Sequence, residues 1–489
     1  METGWPSTDA HIVPSHNDIQ YSSGNNVEMH VAGTYEGGRK RKYFIYGIIG
    51  LLGLVMVATG VVFALPSGSD SVPAPAPTGG DVPTIVDVPT TPFPTSISGK
   101  EIRDVVDGVA RFGGSEFDDE SSYQSKALRW VMTQELPSLD LPLTFEEQVI
   151  QAYALACIYF STFGVRTAWT DFRYGHSNPV PGWFGKRGWV EDAGSMCEWY
   201  GIECNSDGFV EAIELATNGL TGVFPPEVTL LKDSLTRLDL YNNIVHNKGD
   251  DGNAFLGELT NLKYLFYGFT SFEYPGIPTE IGLLTNLIEY DMSYTLYFGE
   301  IPTNMWSQLT ALKFLVMDGN AYNSSLPEEI VSLPNLEFLY AGFSALHGNL
   351  DFISRMPKIG ELWVDDNPGM SGSIPSEIGD VSTLQSFSIT NCDITGTIPT
   401  EIGSLTDMTY LWFYDNLLTG PIPSELGNMK KLETLNLQKN YLTGEMPAEV
   451  CTRTSPLFGR LTELEADCDS EITCPADCCT CCGEDCIGS

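Results

Sequence analysis

A short pattern, L-x-x-L-x-L-x-x-N, recurs ten or eleven times between about Val210 and Asp467. Five copies are clear and six are diverged, and they begin at Leu235, Leu312, Ile359, Met408 and Leu432, and at Val210, Leu262, Leu287, Leu336, Leu384 and Leu461. Successive copies begin 23 to 29 residues apart, and an Ile-Pro step usually follows some nine residues later. A fixed period of this size is typical of a solenoid, in which each repeat buries its apolar face against its neighbours.

The chain is strongly acidic, with 64 Asp and Glu against 25 Lys and Arg and a formal net charge of -39. Such a surface repels phosphate backbones, so no nucleic-acid partner is expected. Cationic partners or divalent ions such as Ca²⁺ are favoured instead.

Residues 43–65 contain neither a charge nor a proline over 23 positions, which is long enough to cross a bilayer. Four basic residues, Arg39 to Lys42, precede this segment, and the next basic residue is Lys100. The positive-inside rule therefore predicts an integral, single-pass signal-anchor protein with its N-terminus in the cytoplasm and its repeats extracellular, at the plasma membrane or in the secretory pathway. A cleaved signal peptide is the alternative, but this apolar run is too long and begins too late for one.

The remaining chain divides by composition. Residues 1–42 form a polar tail expected to be disordered, and residues 66–120 a Pro/Thr/Ser-rich stalk. Residues 121–206 form an N-terminal cap with a helix that a capping box at Thr144–Glu147 opens. Residues 207–467 hold the repeats, and residues 468–489 form a Cys-rich C-terminal cap. Four tryptophans of the N-terminal cap are expected to cover the first repeat, although a ligand pocket is the alternative: Trp169, Trp183, Trp189 and Trp199.

Cysteine placement favours disulfides in an oxidising compartment, because none of the twelve cysteines precedes Cys157 and eight lie at or after Cys451. Cys197 and Cys204 are close enough to pair, whereas Cys157 and Cys392 are expected to be buried thiols. The other eight suffice for four bridges of open connectivity: Cys451, Cys468, Cys474, Cys478, Cys479, Cys481, Cys482 and Cys486. Zinc binding by the C-terminal run is the alternative.

Two motifs resemble a known family. Residues 408–427 nearly complete L-x-x-L-x-L-x-x-N-x-L-x-G-x-I-P-x-E-[IL]-G, and residues 197–204 read C-x-W-x-G-I-x-C. Over roughly residues 121–486 the chain resembles plant-type leucine-rich repeat proteins, and the helix around Tyr153 and the Cys-rich tail resemble single-pass repeat proteins of diatoms.

The resemblance implies an α/β solenoid, a leucine-rich repeat superhelix with a helical disulfide-containing N-terminal cap and a parallel sheet on its concave side. It also implies recognition of a protein, peptide or glycan. Receptors of this family often carry a cytoplasmic kinase, but residues 1–42 leave no room for one and the topology is reversed, so that activity is not carried over.

If the Leu positions point inward, strand alternation turns the residues between them toward the concave face. Exposed aromatic residues there would mark a binding site, and interleaved carboxylates would select a basic peptide, a polar glycan or a Ca²⁺-bridged partner. The candidate ligand-binding residues are Tyr264, Phe266, Phe269, Asp291, Phe314, Asp318, Phe338, Tyr340, Phe343, Glu361, Trp363, Asp365, Tyr410, Trp412 and Tyr414. The alternative is an aromatic ladder that stabilises the sheet. Asp365 and Asp366 beside Asp318 are interpreted as solvated charges, so no metal site is predicted.

Asn323 begins the single N-glycosylation sequon, in a return segment away from the concave face. No histidine lies in a pattern typical of a nucleophilic triad or a zinc hydrolase, so neither an enzyme nor a cofactor is expected. Three functions remain open. These are a recognition protein that signals through a membrane co-receptor, a structural or adhesive protein that uses acidic, Ca²⁺-dependent contacts, and an inhibitor-like binder of secreted hydrolases.

Overall fold

The computed structural model describes residues 97–134, 143–163, 183–190, 196–247, 253–272, 276–455, 459–467, 472–475 and 478–479. The predicted tail, the apolar segment 43–65, Trp169 and most of the stalk lie outside these ranges, as do Cys468, Cys481, Cys482 and Cys486. No helix in the described ranges is long and apolar enough to cross a membrane.

Three helices precede the repeats: α1 (Ile97–Val109), α2 (Tyr123–Thr133) and α3 (Phe145–Thr162). The capping box at the start of α3 is present, since Thr144 and Glu147 exchange side-chain and backbone hydrogen bonds. Helix α1 lies within the segment assigned to the stalk, and its Ile102 and Val106 are buried in the common core. The assignment of residues 97–109 to the stalk is therefore wrong. The Pro- and Thr-rich composition of the preceding residues was extended too far along the chain, over a short amphipathic helix.

The repeats build one sheet of twelve strands in chain order, in which β1 is antiparallel to β2 and all later pairs are parallel. The strands are β1 (Ile202–Cys204), β2 (Val210–Glu214), β3 (Arg237–Asp239), β4 (Tyr264–Phe266), β5 (Glu289–Asp291), β6 (Phe314–Val316), β7 (Phe338–Tyr340), β8 (Glu361–Trp363), β9 (Ser386–Ser388), β10 (Tyr410–Trp412), β11 (Thr434–Asn436) and β12 (Glu463–Glu465). The register aligns the Leu positions, so that Leu411 pairs with Phe387 and Leu435. These side chains are fully buried, which confirms the predicted solenoid.

Each return segment contains a short helix, mostly 3₁₀: Pro226–Leu231, Ala254–Glu258, Thr279–Leu283, Trp306–Gln308, Glu328–Val331, Ile353–Arg355, Ser376–Asp380, Thr400–Ser404, Ser424–Asn428 and Ala448–Cys451. The proline of the Ile-Pro step precedes such a helix at Pro399 and Pro423, where its fixed φ suits the turn. The helices stack closely. A Cβ at Gly403 would lie 2.5 Å from the carbonyl oxygen of Glu425, so a larger residue would separate adjacent repeats.

Side-chain amides connect successive repeats along the predicted asparagine positions. Asn367 is fully buried, and its Nδ2 donates to the carbonyl oxygen of Ala341 at 2.9 Å. Its Oδ1 accepts from the backbone N–H groups of Ser344 and Leu346 at 3.0 and 2.9 Å. Cys392 occupies the same position one repeat later and offers only a weak Sγ–H donor. The ladder is thus weaker at Cys392 than at Asn367.

Tyrosines replace two inward Leu positions and form a hydrogen-bonded group inside the solenoid. The hydroxyls of Tyr267 and Tyr290 contact each other, and Tyr297 donates to Tyr267 at 3.2 Å. Asn253 in turn donates to the Tyr297 hydroxyl at 3.3 Å. Buried hydroxyls need such partners, and the repeat pattern alone did not indicate that these residues would find one another.

Short strands on the return side form three further small sheets: Thr221–Val223 with Ile244–His246; His347–Gly348, Gly369–Ser373, Asp393–Gly396, Leu417–Gly420 and Tyr441–Leu442; and Gly444–Glu445 with Ile472–Thr473. Disulfides join Cys197 to Cys204, Cys451 to Cys478 and Cys474 to Cys479. Cys157 and Cys392 are buried free thiols. The Cys451–Cys478 bridge joins the C-terminal segment to the return helix Ala448–Cys451, and the Cys474–Cys479 bridge closes a short loop within that segment.

The cap covers the first repeat with an aromatic cluster. Trp189 packs against Trp183 and Trp199, with ring centroids 4.7 and 5.1 Å apart, and Trp199 meets Trp130 of α2 at 5.6 Å. Trp183, Trp189 and Trp199 are buried, so they serve as a cover and not as an open pocket.

Candidate ligand-binding face

One surface of the twelve-stranded sheet faces away from the Leu core, and we call it the outer sheet face. It consists of the first and third residues of each strand from β3 to β12, together with the side chains that follow each strand. In β8, for example, Leu362 is buried in the core while Glu361 and Trp363 lie on the outer sheet face and are half-buried. Strand alternation thus places the candidate residues on one surface.

Aromatic rings form a continuous ladder along this face from β6 to β10. Phe314 contacts Phe338 and Tyr340, with centroids 5.3 and 5.4 Å apart. Tyr340 then meets Trp363 at 5.0 Å, and Trp363 meets Trp412 at 5.6 Å. Such offset and edge-on pairs are stabilising, so the ladder is a preorganised surface.

The two tryptophans meet although a whole strand lies between them. The intervening strand β9 carries Ser386 and Ser388 on the outer sheet face, and both side chains are small and buried. Trp363 donates its Nε1–H to the Ser386 hydroxyl at 2.8 Å. The serines therefore leave the space in which the indole rings extend toward each other.

A second aromatic cluster covers β3 to β5. Tyr241, Phe266 and Phe269 are buried against one another, with Tyr264 and Tyr294 packed around them. Phe269 stacks on Tyr294 with centroids 4.4 Å apart and an interplanar angle of 25°. The cluster excludes water from this part of the face.

The structure sorts the fifteen candidate residues by exposure. Phe343 is exposed, and ten are half-buried: Tyr264, Phe314, Asp318, Phe338, Glu361, Trp363, Asp365, Tyr410, Trp412 and Tyr414. Four are buried, namely Phe266, Phe269, Asp291 and Tyr340, with 2 to 8% of their surface exposed. For these four the expected exposure is wrong. Neighbouring rings cover the three aromatic residues, as the ladder interpretation anticipated, and Asp291 Oδ1 accepts hydrogen bonds from the N–H and the hydroxyl of Ser293.

Carboxylates on the face are held by strand-to-strand hydrogen bonds. Asp318 Oδ1 accepts from the N–H of Gly342 at 2.5 Å, and Asp365 Oδ1 accepts from the Ser388 hydroxyl at 2.6 Å. Burial raises the pKa of Asp318 to about 8 and that of Asp366 to about 6, and it also raises the pKa of Asp365. Within the described ranges no group of three or more potential ligands is arranged to hold a metal ion.

Three aromatic residues that follow the strands have left-handed backbone conformations. Phe269, Tyr294 and Phe343 have φ of 55°, 48° and 50°, whereas Gly319 and Asn391 occupy the same position in other repeats. A bulky residue is disfavoured in this region by roughly 1–2 kcal/mol. Phe343 is strained in this way and still 42% exposed.

At the N-terminal end of the face, an arginine lies between a carboxylate and two aromatic rings. Arg237 on β3 forms an ion pair with Glu214 on β2 at 2.9 Å. Its guanidinium lies 5.0 Å from the ring centroid of Tyr264 and 5.1 Å from that of Phe266, both on β4. The order along the sheet is thus acid, cation, aromatic pair.

At the C-terminal end, the outer side chains of β11 and β12 were not among the candidate residues. Asn436 Nδ2 donates to Glu463 at 2.9 Å, and Gln438 Nε2 donates to Glu465 at 2.5 Å. Burial and the neighbouring Glu463 raise the pKa of Glu465 to about 7. The sequence did contain a signal for these two glutamates, because alternation in the diverged repeat that begins at Leu461 places both of them in outward positions.

Asn323 of the sequon is exposed and has a φ of 38° in the return segment between β6 and β7. It therefore does not lie on the outer sheet face.

Comparison with known proteins agrees with this geometry. Residues 383–405 and 431–452 match the family model of the Leucine Rich Repeat. These two segments of the solenoid are leucine-rich repeats. Receptor protein-tyrosine kinase CEPR1 of Arabidopsis thaliana is 31% identical over 165 residues, 33% of this chain and 17% of that relative. Receptor-like protein 39 of the same plant is 37% identical over 119 residues, 24% of this chain and 13% of that relative.

Among solved structures, the leucine-rich repeat ectodomain of the plant membrane receptor kinase GASSHO1/SCHENGEN3 from Arabidopsis thaliana is similar. It was solved in complex with CASPARIAN STRIP INTEGRITY FACTOR 2, and it matches with a TM-score of 0.50 and 26% identity. The match covers 57% of this chain and 32% of that one. This chain's matches to the two curated relatives span less than a fifth of each relative's length. The leucine-rich repeat domain thus resembles plant receptor ectodomains.

Proposed function

We propose that this leucine-rich repeat protein is a membrane-anchored recognition protein that binds a protein or peptide ligand on its outer sheet face and signals through a membrane partner. The aromatic ladder from Phe314 to Trp412 carries the proposal, because all of its rings except Tyr340 are partly exposed on a rigid sheet. Preorganised rings lose little side-chain entropy on binding. The complex of the similar plant ectodomain with a partner factor supports a ligand-binding role.

Membrane anchoring rests on the apolar segment 43–65 and the basic residues before it. We propose no catalytic activity for the chain, since its described part offers a binding surface. The three disulfides suit an oxidising, extracellular location.

Strain at Phe343 supports the same function. Its left-handed φ of 50° costs stability, yet the ring stays exposed and therefore contributes little packing to the fold. A residue kept at such a position against local preference is a candidate for ligand contact. Phe343→Asn is therefore expected to raise the free energy of unfolding by about 1 kcal/mol and to weaken ligand binding.

The experiment is a binding screen of the full chain against extracellular peptides, proteins and glycans, with and without Ca²⁺. A discrete ligand whose binding falls at least about tenfold in Trp363→Ala and in Phe343→Asn is expected. Phe298→Ala is the matched control, because Phe298 is 52% exposed but lies on the return side. Equal loss in all three variants, or Ca²⁺-dependent binding to many surfaces with no discrete ligand, would contradict the proposal.

A further inference from the structure

The two ends of the outer sheet face carry the same groups in opposite order, but one group is missing at the C-terminal end. There the aromatic pair is Tyr410 and Trp412 on β10, and the acids are Glu463 and Glu465 on β12. Between them, at the position that corresponds to Arg237, β11 presents Thr434, which pairs in register with Tyr410 and Glu463.

We propose that this end of the face binds a cationic side chain of a peptide ligand, an arginine guanidinium in preference to a lysine ammonium, over β11 between the aromatic pair and the two glutamates. The inference rests on the proposed function and names the chemistry that the ligand must carry. Arg237 shows how the fold seats such a group, with an ion pair on one side and two ring faces on the other.

The hydrogen bonds around Glu463 and Glu465 support a binding site for a cation. Among the described residues neither carboxylate forms an ion pair, although Arg237 neutralises Glu214 at the other end. Asn436 and Gln438 are more than nine-tenths buried, and each directs its amide nitrogen to one of these carboxylates. Their amide oxygens, Oδ1 and Oε1, have no hydrogen-bond partner. The two unpartnered amide oxygens and the carboxylate oxygens are acceptors, which suit a donor-rich cation.

The same contacts favour an organic cation over a metal ion. Ca²⁺ takes six to eight oxygen ligands, whereas each carboxylate here already accepts an amide N–H. An aromatic wall also attracts a guanidinium or ammonium through the ring quadrupole and offers no ligand to Ca²⁺. The net charge of -39 further raises the local concentration of cationic ligands.

The test is calorimetric titration of the full chain with N-acetyl-arginine amide, with N-acetyl-citrulline amide as the neutral isostere. We expect arginine amide to bind at least about tenfold more tightly than citrulline amide. The double variant Glu463→Gln with Glu465→Gln removes both charges and is expected to weaken arginine amide by about tenfold. Glu445→Gln with Glu449→Gln is the matched control, because these exposed glutamates lie on the return side.

A second variant, Thr434→Arg, rebuilds the arrangement of Arg237 within the chain. It is expected to occupy the site and abolish binding of arginine amide while the circular dichroism spectrum stays native. Equal binding of arginine and citrulline amides, undiminished binding in Thr434→Arg, or Ca²⁺ binding that needs Glu463 and Glu465 would overturn the inference. A discrete ligand without a basic residue, lost in Trp363→Ala but not in the glutamate double variant, would refute the inference and leave the proposed function intact.

Discussion

Replacement of Asn367 by alanine should cause a large and local loss of stability. The amide makes contacts in two repeats, since Oδ1 accepts from the N–H groups of Ser344 and Leu346 and Nδ2 donates to the carbonyl oxygens of Ala341 and Val364. Alanine leaves two buried N–H groups without an acceptor, and each costs about 1–3 kcal/mol. We expect the free energy of unfolding to fall by about 3 kcal/mol or more.

The assay combines urea denaturation of the full chain with hydrogen exchange of individual amides. Exchange is the sharper measure, because repeat proteins can unfold in parts and a single midpoint then averages them. The amides of Ser344 and Leu346 should lose protection in Asn367→Ala, whereas amides several repeats away should keep theirs.

Asn286→Ala is the control, since Asn286 is exposed and donates one hydrogen bond to the preceding repeat, to the Thr260 carbonyl at 3.0 Å. It should cost about 1 kcal/mol or less. If Asn367→Ala cost no more than this, and Ser344 and Leu346 stayed protected, the reasoning that the buried amide ladder joins the repeats would be refuted.

Two further predictions follow from the same geometry. Cys392→Asn should add one amide to the ladder and raise the free energy of unfolding by about 1 kcal/mol, measured by urea denaturation; no gain would mean that an amide does not fit among the neighbours of residue 392. Asp318 has its pKa raised from 3.8 to about 8, so the folded state keeps a proton that the unfolded state loses, and stability should fall by up to about 1.4 kcal/mol per pH unit between about pH 4 and pH 8. Asp318→Asn should remove that part of the pH dependence, and an unchanged slope in pH-dependent denaturation would show that Asp318 is ionised in the fold.

The candidate site shows where reasoning from the sequence succeeds and where it fails. Alternation around the Leu positions placed Trp363 and Trp412 on one face correctly, because that depends only on the period of the strand. The same rule could not show that Phe266 and Tyr340 are covered, since their exposure depends on rings contributed by other strands. Glu463 was missed for a different reason, because its repeat departs from the consensus.

By itself the sequence determined the solenoid, the inward Leu positions, the recurring asparagine positions and the capping box at Thr144. Each of these follows from backbone geometry that repeats along the chain and needs no knowledge of distant residues. Only the tertiary structure decided that α1 packs into the cap, that Cys451 pairs with Cys478, and that the aromatic ladder crosses Ser388. Those outcomes depend on side-chain size and on contacts between segments about 25 residues or more apart, which a local pattern does not encode.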